Sequence, residues 1–436
     1  MLNRYPAIEP QRIPRAEHPI SRSQLSSAAL KTLYSLKDAG YEAYIVGGGV
    51  RDLLAGIEPK DFDIATNAHP EQIRQVFRNC RLVGRRFLIA HVRFGDEILE
   101  VTTFRGPITD LHERDETGRI LSDNEYGTLE EDAFRRDFTV NALYYDIRDF
   151  SIVDFAGGLQ DCKDGVIRLI GDPALRYRED PVRMLRAIRI ANKLKYRIEP
   201  ASADPIRGLA PLLQEIPPAR LFDEVLKLLQ SVDGVASFEG LREHGLFGQL
   251  FPQTEAMLRY PRALEFVKRA LGNTAERVRN DQPVSPAFLY AAVLWPAVAA
   301  RVNALIGRDG KHPNVAIAEA SDDVLSQAIQ RVAIPKRFSV PMREIWAMQT
   351  RFDGRRGGRA QRLMTHPRFR AAYDFLLLRA AVGEAPQDLA DWWTQAQEGA
   401  DLPPVPEDED TGGGGAPKRR RRRGGRGRKR PAATGD

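Results

Sequence analysis

Two cysteines in 436 residues, Cys80 and Cys162, lie too far apart in the chain to suggest a disulfide framework or a zinc-binding cluster. That scarcity fits a reducing, cytoplasmic compartment. No run of about 18 apolar residues occurs, so no membrane span is expected. The N-terminal MLNRYPAIEPQRIPR carries arginines without an apolar stretch, which argues against a secretory signal. No Gly-Lys-Ser/Thr follows a glycine-rich turn, which excludes a P-loop. Nothing resembles a Ser-His-Asp or Cys-His arrangement, and His91 and the pair Trp392-Trp393 read as core or interface residues. With 42% hydrophobic residues the chain can bury a substantial core, yet it is too long for a single one, so two or three domains are expected.

Charge is unevenly placed. Residues 411–436 hold ten Lys or Arg and one Asp, a net of +9 in a chain whose total is +6, so residues 1–410 carry −3. The basic character is a tail rather than a body. Such a tail cannot pack a core and is expected to be disordered, binding polyanions through counterion release.

The richest stretch is Ile45 to Ala65, IVGGGVRDLLAGIEPKDFDIA. Its glycines let a backbone approach a phosphate closely. On a strand alternate residues share a face, so Phe62 and Ile64 point inward while Asp61 and Asp63 point out together. Two carboxylates side by side repel unless a cation lies between them, and hard oxygen ligands suit Mg²⁺. A phosphate site and a metal site this close suggest phosphoryl or nucleotidyl transfer. Two-metal transfer needs a further carboxylate. Glu100, mid-strand in ILEVT, and Asp137, in RRDFTVNAL beside Arg135 and Arg136, are both candidates, and spacing does not decide between them.

The segment EDPVRMLRAIRIANKL places Asp180, Arg183, Arg186 and Arg189 three residues apart along one helical row, beside a core-facing stripe of Leu185, Ile188 and Ala191. Like charges in one row repel unless an anion is near, and guanidinium donors match a phosphate or a base edge. Nucleotide or RNA contact is the expectation.

Periodicity predicts a helix over Ser26–Ala39, a strand over Glu42–Val46, a short helix over Val50–Ala55 and a strand over Lys60–Ala65. A helix over Pro70–Asn79 follows, then a hairpin of Phe87–Phe94 and Glu97–Phe104 turning at Gly95-Asp96. The fold class is α+β: a head with a small mixed sheet, then a region that is helical almost throughout. Boundaries are expected at 1–22 (a loose extension), 23–160 (head), 161–230 (first helical part), 231–400 (helical body) and 401–436 (linker and disordered tail). The loop 106–125 is polar and without periodicity.

GGGVRDLLAG…PKDFDIAT, RRDFTVNAL, FAGGLQDCKDGVIR and EDPVRMLRAIRIA resemble, in order, the motifs of the class II nucleotidyltransferases, which include tRNA CCA-adding enzymes and bacterial poly(A) polymerases. The resemblance is dense from about residue 41 to 230. LVGRRFLIAHV, IPPARLF, AIPKRFSVP and the basic tail are similar to the poly(A) polymerase branch. The resemblance implies a polymerase-β-like head and template-independent transfer of AMP from ATP to RNA 3′ ends with two Mg²⁺ ions. It implies that Asp61 and Asp63 hold the metal, that Asp137 is the third catalytic acid, and that Glu100 is the strand carboxylate of the wider superfamily. Gly47, Gly48, Arg51 and Arg136 would contact the triphosphate, and Asp180, Arg183, Arg186 and Arg189 would form the nucleotide-recognition helix. CCA addition to tRNA and a non-catalytic RNA-binding adaptor are the rival expectations.

Overall fold

The computed structural model describes residues 9–84, 87–106, 125–355 and 358–399. Most of the loop 106–125, the end of the body at residue 400 and the basic tail lie outside them.

The head is built on one eight-stranded sheet, larger than the small sheet expected. Its strands are β1 (Gln11–Ile13), β2 (Ala43–Val46), β3 (Asp63–Thr66), β4 (Cys80–Val83), β5 (Ile89–Phe94), β6 (Glu97–Thr103), β7 (Leu143–Asp146) and β8 (Ile152–Asp154), in the spatial order β1-β8-β7-β2-β3-β6-β5-β4. All pairings are antiparallel except β3 with β6. The expected hairpin forms, with Gly95 at φ +61° closing β5 onto β6. Residues 11–13, placed by sequence in a loose extension, instead add an edge strand to β8. Ile13 and Ile20 are fully buried, and His18 Nε2 donates to the Phe150 carbonyl at 2.9 Å. Burial of two isoleucines outweighs the local Pro/Arg composition.

Helices α1 (Ser27–Asp38), α2 (Gly48–Leu54) and α3 (Pro70–Val76) belong to the head. The Ser26 hydroxyl caps α1 by accepting from the Ala29 N–H, and Leu33 and Leu36 bury its inner face. Helix α3 stops three residues short of the expected Asn79, because Cys80–Val83 is drawn into the sheet edge as β4. Helices α4 (Leu129–Arg135), α5 (Gly158–Asp164), α6 (Pro173–Glu179) and α7 (Val182–Leu194) follow, and from Pro200 onward the described chain is helical with short breaks.

The longest helices of the body are Pro261–Arg279, Pro286–Gly307 and Pro313–Val332. Pro286–Gly307 is the one described helix that is long and apolar enough to cross a membrane. Most of it is buried among its neighbours, and Trp346 donates to its Ala291 carbonyl at 3.2 Å, so it is the central helix of the body core. Trp392 and Trp393 are buried in a satellite core with Phe352 and Phe369, as expected.

Candidate active site

Residue Gly47 ends β2 with φ +70° and ψ −131°, a conformation that only glycine adopts without strain. The chain turns there into α2. Gly49 lets that helix close on β3, since a Cβ there would stand 3.1 Å from the Phe62 ring. Phe62 and Ile64 are buried and Asp61 and Asp63 exposed, so the expected alternation holds. Asp61 lies just ahead of β3, which begins at Asp63.

The parallel β3–β6 register sets Asp63 directly beside Glu100. Asp63 has its carboxyl pKa raised, first by desolvation and then by the Glu100 charge, with Asp61 adding to the push and Arg136 opposing it. Glu100 remains half exposed, and on its other side His91 of β5 approaches with Nε2 3.6 Å from the carboxylate. His91 therefore stands on the site's sheet face, not in the core. Among the described residues no three His, Cys, Asp or Glu side chains already converge on one point.

The guanidinium of Arg136 is fixed from behind. Asp132, almost wholly buried, accepts from its Nη2 at 2.9 Å, and Nε donates to the Tyr144 hydroxyl, also at 2.9 Å. Its Nη1 lies 3.5 Å from where a Cβ on Gly47 would stand, so the charge faces the glycine turn. Arg176 of α6 donates to the carbonyls of Arg135 and Arg136 and pins this corner to the neck.

Asp137 and Arg51 are both engaged by partners within the protein. The Asp137 Oδ2 pairs with Arg186 at 2.6 Å, and its Oδ1 accepts from the Phe138 N–H and from Asn141 Nδ2, each at 2.9 Å. These contacts hold its carboxyl well below the usual range despite burial. Arg51 is buried, ion-paired to Asp52 at 2.7 Å and bonded to Asn141 Oδ1 at 2.5 Å. Asp52 in turn accepts from Lys193 of α7.

The arginine row exists on α7, but its repulsion is answered by the protein itself. Arg183 pairs with Glu179 at 3.1 Å, Arg186 with Asp137, and Arg189 with Glu224 at 3.0 Å. Asp180 sits ahead of α7, at the end of α6, and pairs with Arg220 at 2.6 Å. The network Arg51–Asn141–Asp137–Arg186–Glu224–Arg189 thus ties the head to the neck.

Several of these partners carried no separate signal in the sequence: Asp132, Asn141, Arg220 and Glu224 each lie inside a stretch whose spacing marks only a helix or strand. Asp154 is another. Its carboxylate accepts from the backbone N–H groups of Ala156, Gly157, Gly158 and Leu159, which explains the DFAGG sequence as an anchored turn.

This head is built like those of the nucleotidyltransferases. The structure is similar to the Bacillus stearothermophilus CCA-adding enzyme in complex with CTP, at 27% identity and a TM-score of 0.57 over 85% of this chain and 80% of that one. Family models match the poly A polymerase head domain over residues 43–168, the "Probable RNA and SrmB- binding site of polymerase A" over 195–258, and the polymerase A arginine-rich C-terminus over 309–428. The chain is 52% identical to poly(A) polymerase I of Salmonella typhi across 89% of its own length and 86% of that protein's. Its likeness to the CCA-adding enzyme of Lactobacillus helveticus, 39%, is confined to 46% of the chain. The chain belongs to the poly(A) polymerase I family.

Proposed function

We propose that the protein extends RNA 3′ ends with AMP taken from ATP, without a template. The 3′-hydroxyl gives its proton to solvent, the O3′–Pα bond forms, the bond from Pα to the bridging oxygen breaks, and pyrophosphate leaves. The observation that carries the mechanism is the pairing of Asp63 with Glu100 across β3 and β6, with Asp61 two residues away. Three hard carboxylates, with Glu100 and Asp61 both raising the proton affinity of Asp63, are a donor set suited to Mg²⁺. Asp61, Asp63 and Glu100 would hold two such ions, which when bound lower the 3′-hydroxyl pKa and neutralise charge on the reacting phosphates.

The other roles follow from what each side chain already touches. Arg136, braced by Asp132 and Tyr144, presents a fixed cation over the Gly47–Gly48 turn, where the triphosphate can approach the backbone closely. Arg51 acts one step back: held by Asp52 and Asn141 with its Nη2 against Gly48, it positions the turn. Asp137, Arg186 and Arg189 are likewise positioning residues. Asp180 keeps part of its carboxylate in water, and with Arg183 and Arg220 it would supply the base-reading edge that a template would otherwise provide. Residues 23–160, 161–230 and 231–400 are taken as head, neck and body, with the head reaching back to β1. The cytoplasm, where RNA and ATP meet and two free cysteines stay reduced, is the proposed location.

Incubation of the full chain with a generic RNA and each NTP singly tests the function. A long A tract with ATP alone is expected. Addition of three nucleotides to tRNA only would establish CCA addition instead, and no incorporation of any NTP would leave an RNA-binding adaptor.

Gly47→Ala is expected to cost about 1–3 kcal/mol of stability from the strained backbone. Displacement of the turn against Arg136 should lower kcat/KM for ATP about a hundredfold. Labelled-ATP incorporation beside a thermal melt measures both, and a wild-type kcat/KM would remove the turn from the phosphate site.

Deleting residues 411–436, with their ten basic side chains, should weaken RNA binding and flatten its dependence on salt. Titrations at two ionic strengths check this, and unchanged binding at low salt would give the tail another role.

A further inference from the structure

Two adjoining cavities lie in the body, formed by residues 260–389, none of them from the head. One is about 660 Å³ and the other about 800 Å³, and they share Thr350 and Asp353 as a common wall. Their lining is strongly basic. Arg351, Arg359 and Arg362 face the first and Arg262 and Arg379 the second, against two carboxylates, Asp353 and Glu384.

Among the described residues Arg351, Arg359, Arg362 and Arg262 have no carboxylate partner, unlike the arginines of α7. Five guanidinium groups against two carboxylates leave an excess of positive charge that favours an anion from outside. Arg379 makes the case stronger. It stacks over Trp295 at 5.0 Å and donates to Gln349 Oε1 at 3.2 Å, while its buried Nε has no hydrogen-bond partner. Glu384, the nearby carboxylate, accepts instead from Trp295 Nε1 at 2.7 Å. A buried donor left unmatched costs stability unless a ligand meets it.

The rim supplies a flat surface. Tyr260 is 52% exposed, and the guanidinium of Arg259 lies over its ring at 4.9 Å. Exposed aromatic faces beside arginines are what unpaired bases stack on, and a row of unpaired arginines is what the phosphates between them require.

We propose that this cleft binds single-stranded RNA, holding nucleotides upstream of the 3′ end with phosphates on Arg351, Arg359 and Arg362 and a base against Tyr260. The inference rests on RNA being the substrate. A duplex would offer the phosphates but no free base face, so single strands are preferred.

The experiment uses the full chain and two variants, the double substitution Arg351→Ala/Arg362→Ala and the single Tyr260→Ala, all at exposed positions. Binding and AMP incorporation are measured with oligo(A) of 5 and of 30 nucleotides and with a 30-base-pair duplex. For the double variant, affinity for the 30-nucleotide strand is expected to fall about tenfold. Its log–log salt slope should shrink by about 1.4, since each lost single-strand phosphate contact removes about 0.7. Tyr260→Ala should weaken the single strand and leave the duplex unaffected. The 5-nucleotide primer should be extended by both variants with wild-type kcat and KM for ATP, which separates failure of the cleft from failure of the polymerase reading. Unchanged affinity and slope for the long strand would overturn the proposal, as would equal losses on the short primer. Displacement of the long strand by inorganic phosphate at constant ionic strength would make this a free-anion site and overturn it too.

Discussion

Replacing Glu100 by Gln is expected to abolish AMP incorporation as completely as replacing Asp63 by Asn, with RNA binding intact in both. The two residues are partners in a parallel register, and their charges already act on each other: Glu100 is the leading charged neighbour raising the Asp63 carboxyl pKa. A carboxylate pair held in mutual repulsion on an exposed sheet face gains most when a divalent cation enters. Removing one of the donors takes away several kcal/mol of transition-state stabilisation, a loss of about three orders of magnitude in kcat. The isosteric change leaves the β5–β6 pairing in place, so the melting temperature should hold. A second readout is independent of turnover: with Glu100 neutral, the Asp63 titration in the free protein should move down toward the ordinary carboxylate range, followed by carboxyl-carbon NMR. Activity of Glu100→Gln within about tenfold of wild type, an effect of only about 1.4 kcal/mol, would sink the assignment.

How legible this site was in the sequence depended on how far apart its parts lie. The alternation of Asp61, Phe62, Asp63 and Ile64 is local, and it survives in the structure as two exposed carboxylates flanking a buried ring. The Gly95-Asp96 hairpin and the amphipathic α7 were equally plain. What could not be read was register. β3 and β6 run parallel, with the antiparallel β4 and β5 intervening in the chain, and no spacing rule tells which residue of β6 faces Asp63. The sequence therefore left Glu100 and Asp137 both open, and what the sheet adds is the placement of Glu100 beside Asp63. The arginine row is a different case. Its periodicity was correct, but the anions that relieve it come from Glu179, Asp137 and Glu224, two of them distant in sequence and brought in by packing of the neck. The edge strand Gln11–Ile13 was hidden because three residues beside a proline carry no period, and its partner β8 lies some 140 residues on.

Asp137→Asn separates a positioning carboxylate from a catalytic one. In the structure each of its oxygens is engaged: Arg186 takes one, and the Phe138 N–H and Asn141 take the other. Asn keeps the shape and one acceptor but leaves Arg186 without its closest counter-charge. Breaking a buried pair from one side costs about 3–5 kcal/mol. Arg186 keeps about a third of its side chain in water and has Glu224 at 3.7 Å, so a loss of about 2–3 kcal/mol is expected here. The sign of the pH effect follows from the depressed carboxyl of Asp137. A group whose folded pKa lies below its unfolded value contributes fully above the unfolded carboxylate range near 4, and that contribution is lost as pH falls through it toward the folded value. The stability gap between wild type and Asp137→Asn should therefore be widest from pH 5 upward and narrow below about pH 4, measured by denaturant midpoints across that range. Because Arg186 anchors the neck to the head, KM for ATP should rise more than kcat falls. A loss of three orders of magnitude in kcat with an unchanged denaturation midpoint would instead make Asp137 a ligand at the reacting centre and return Glu100 to an ordinary place on the sheet.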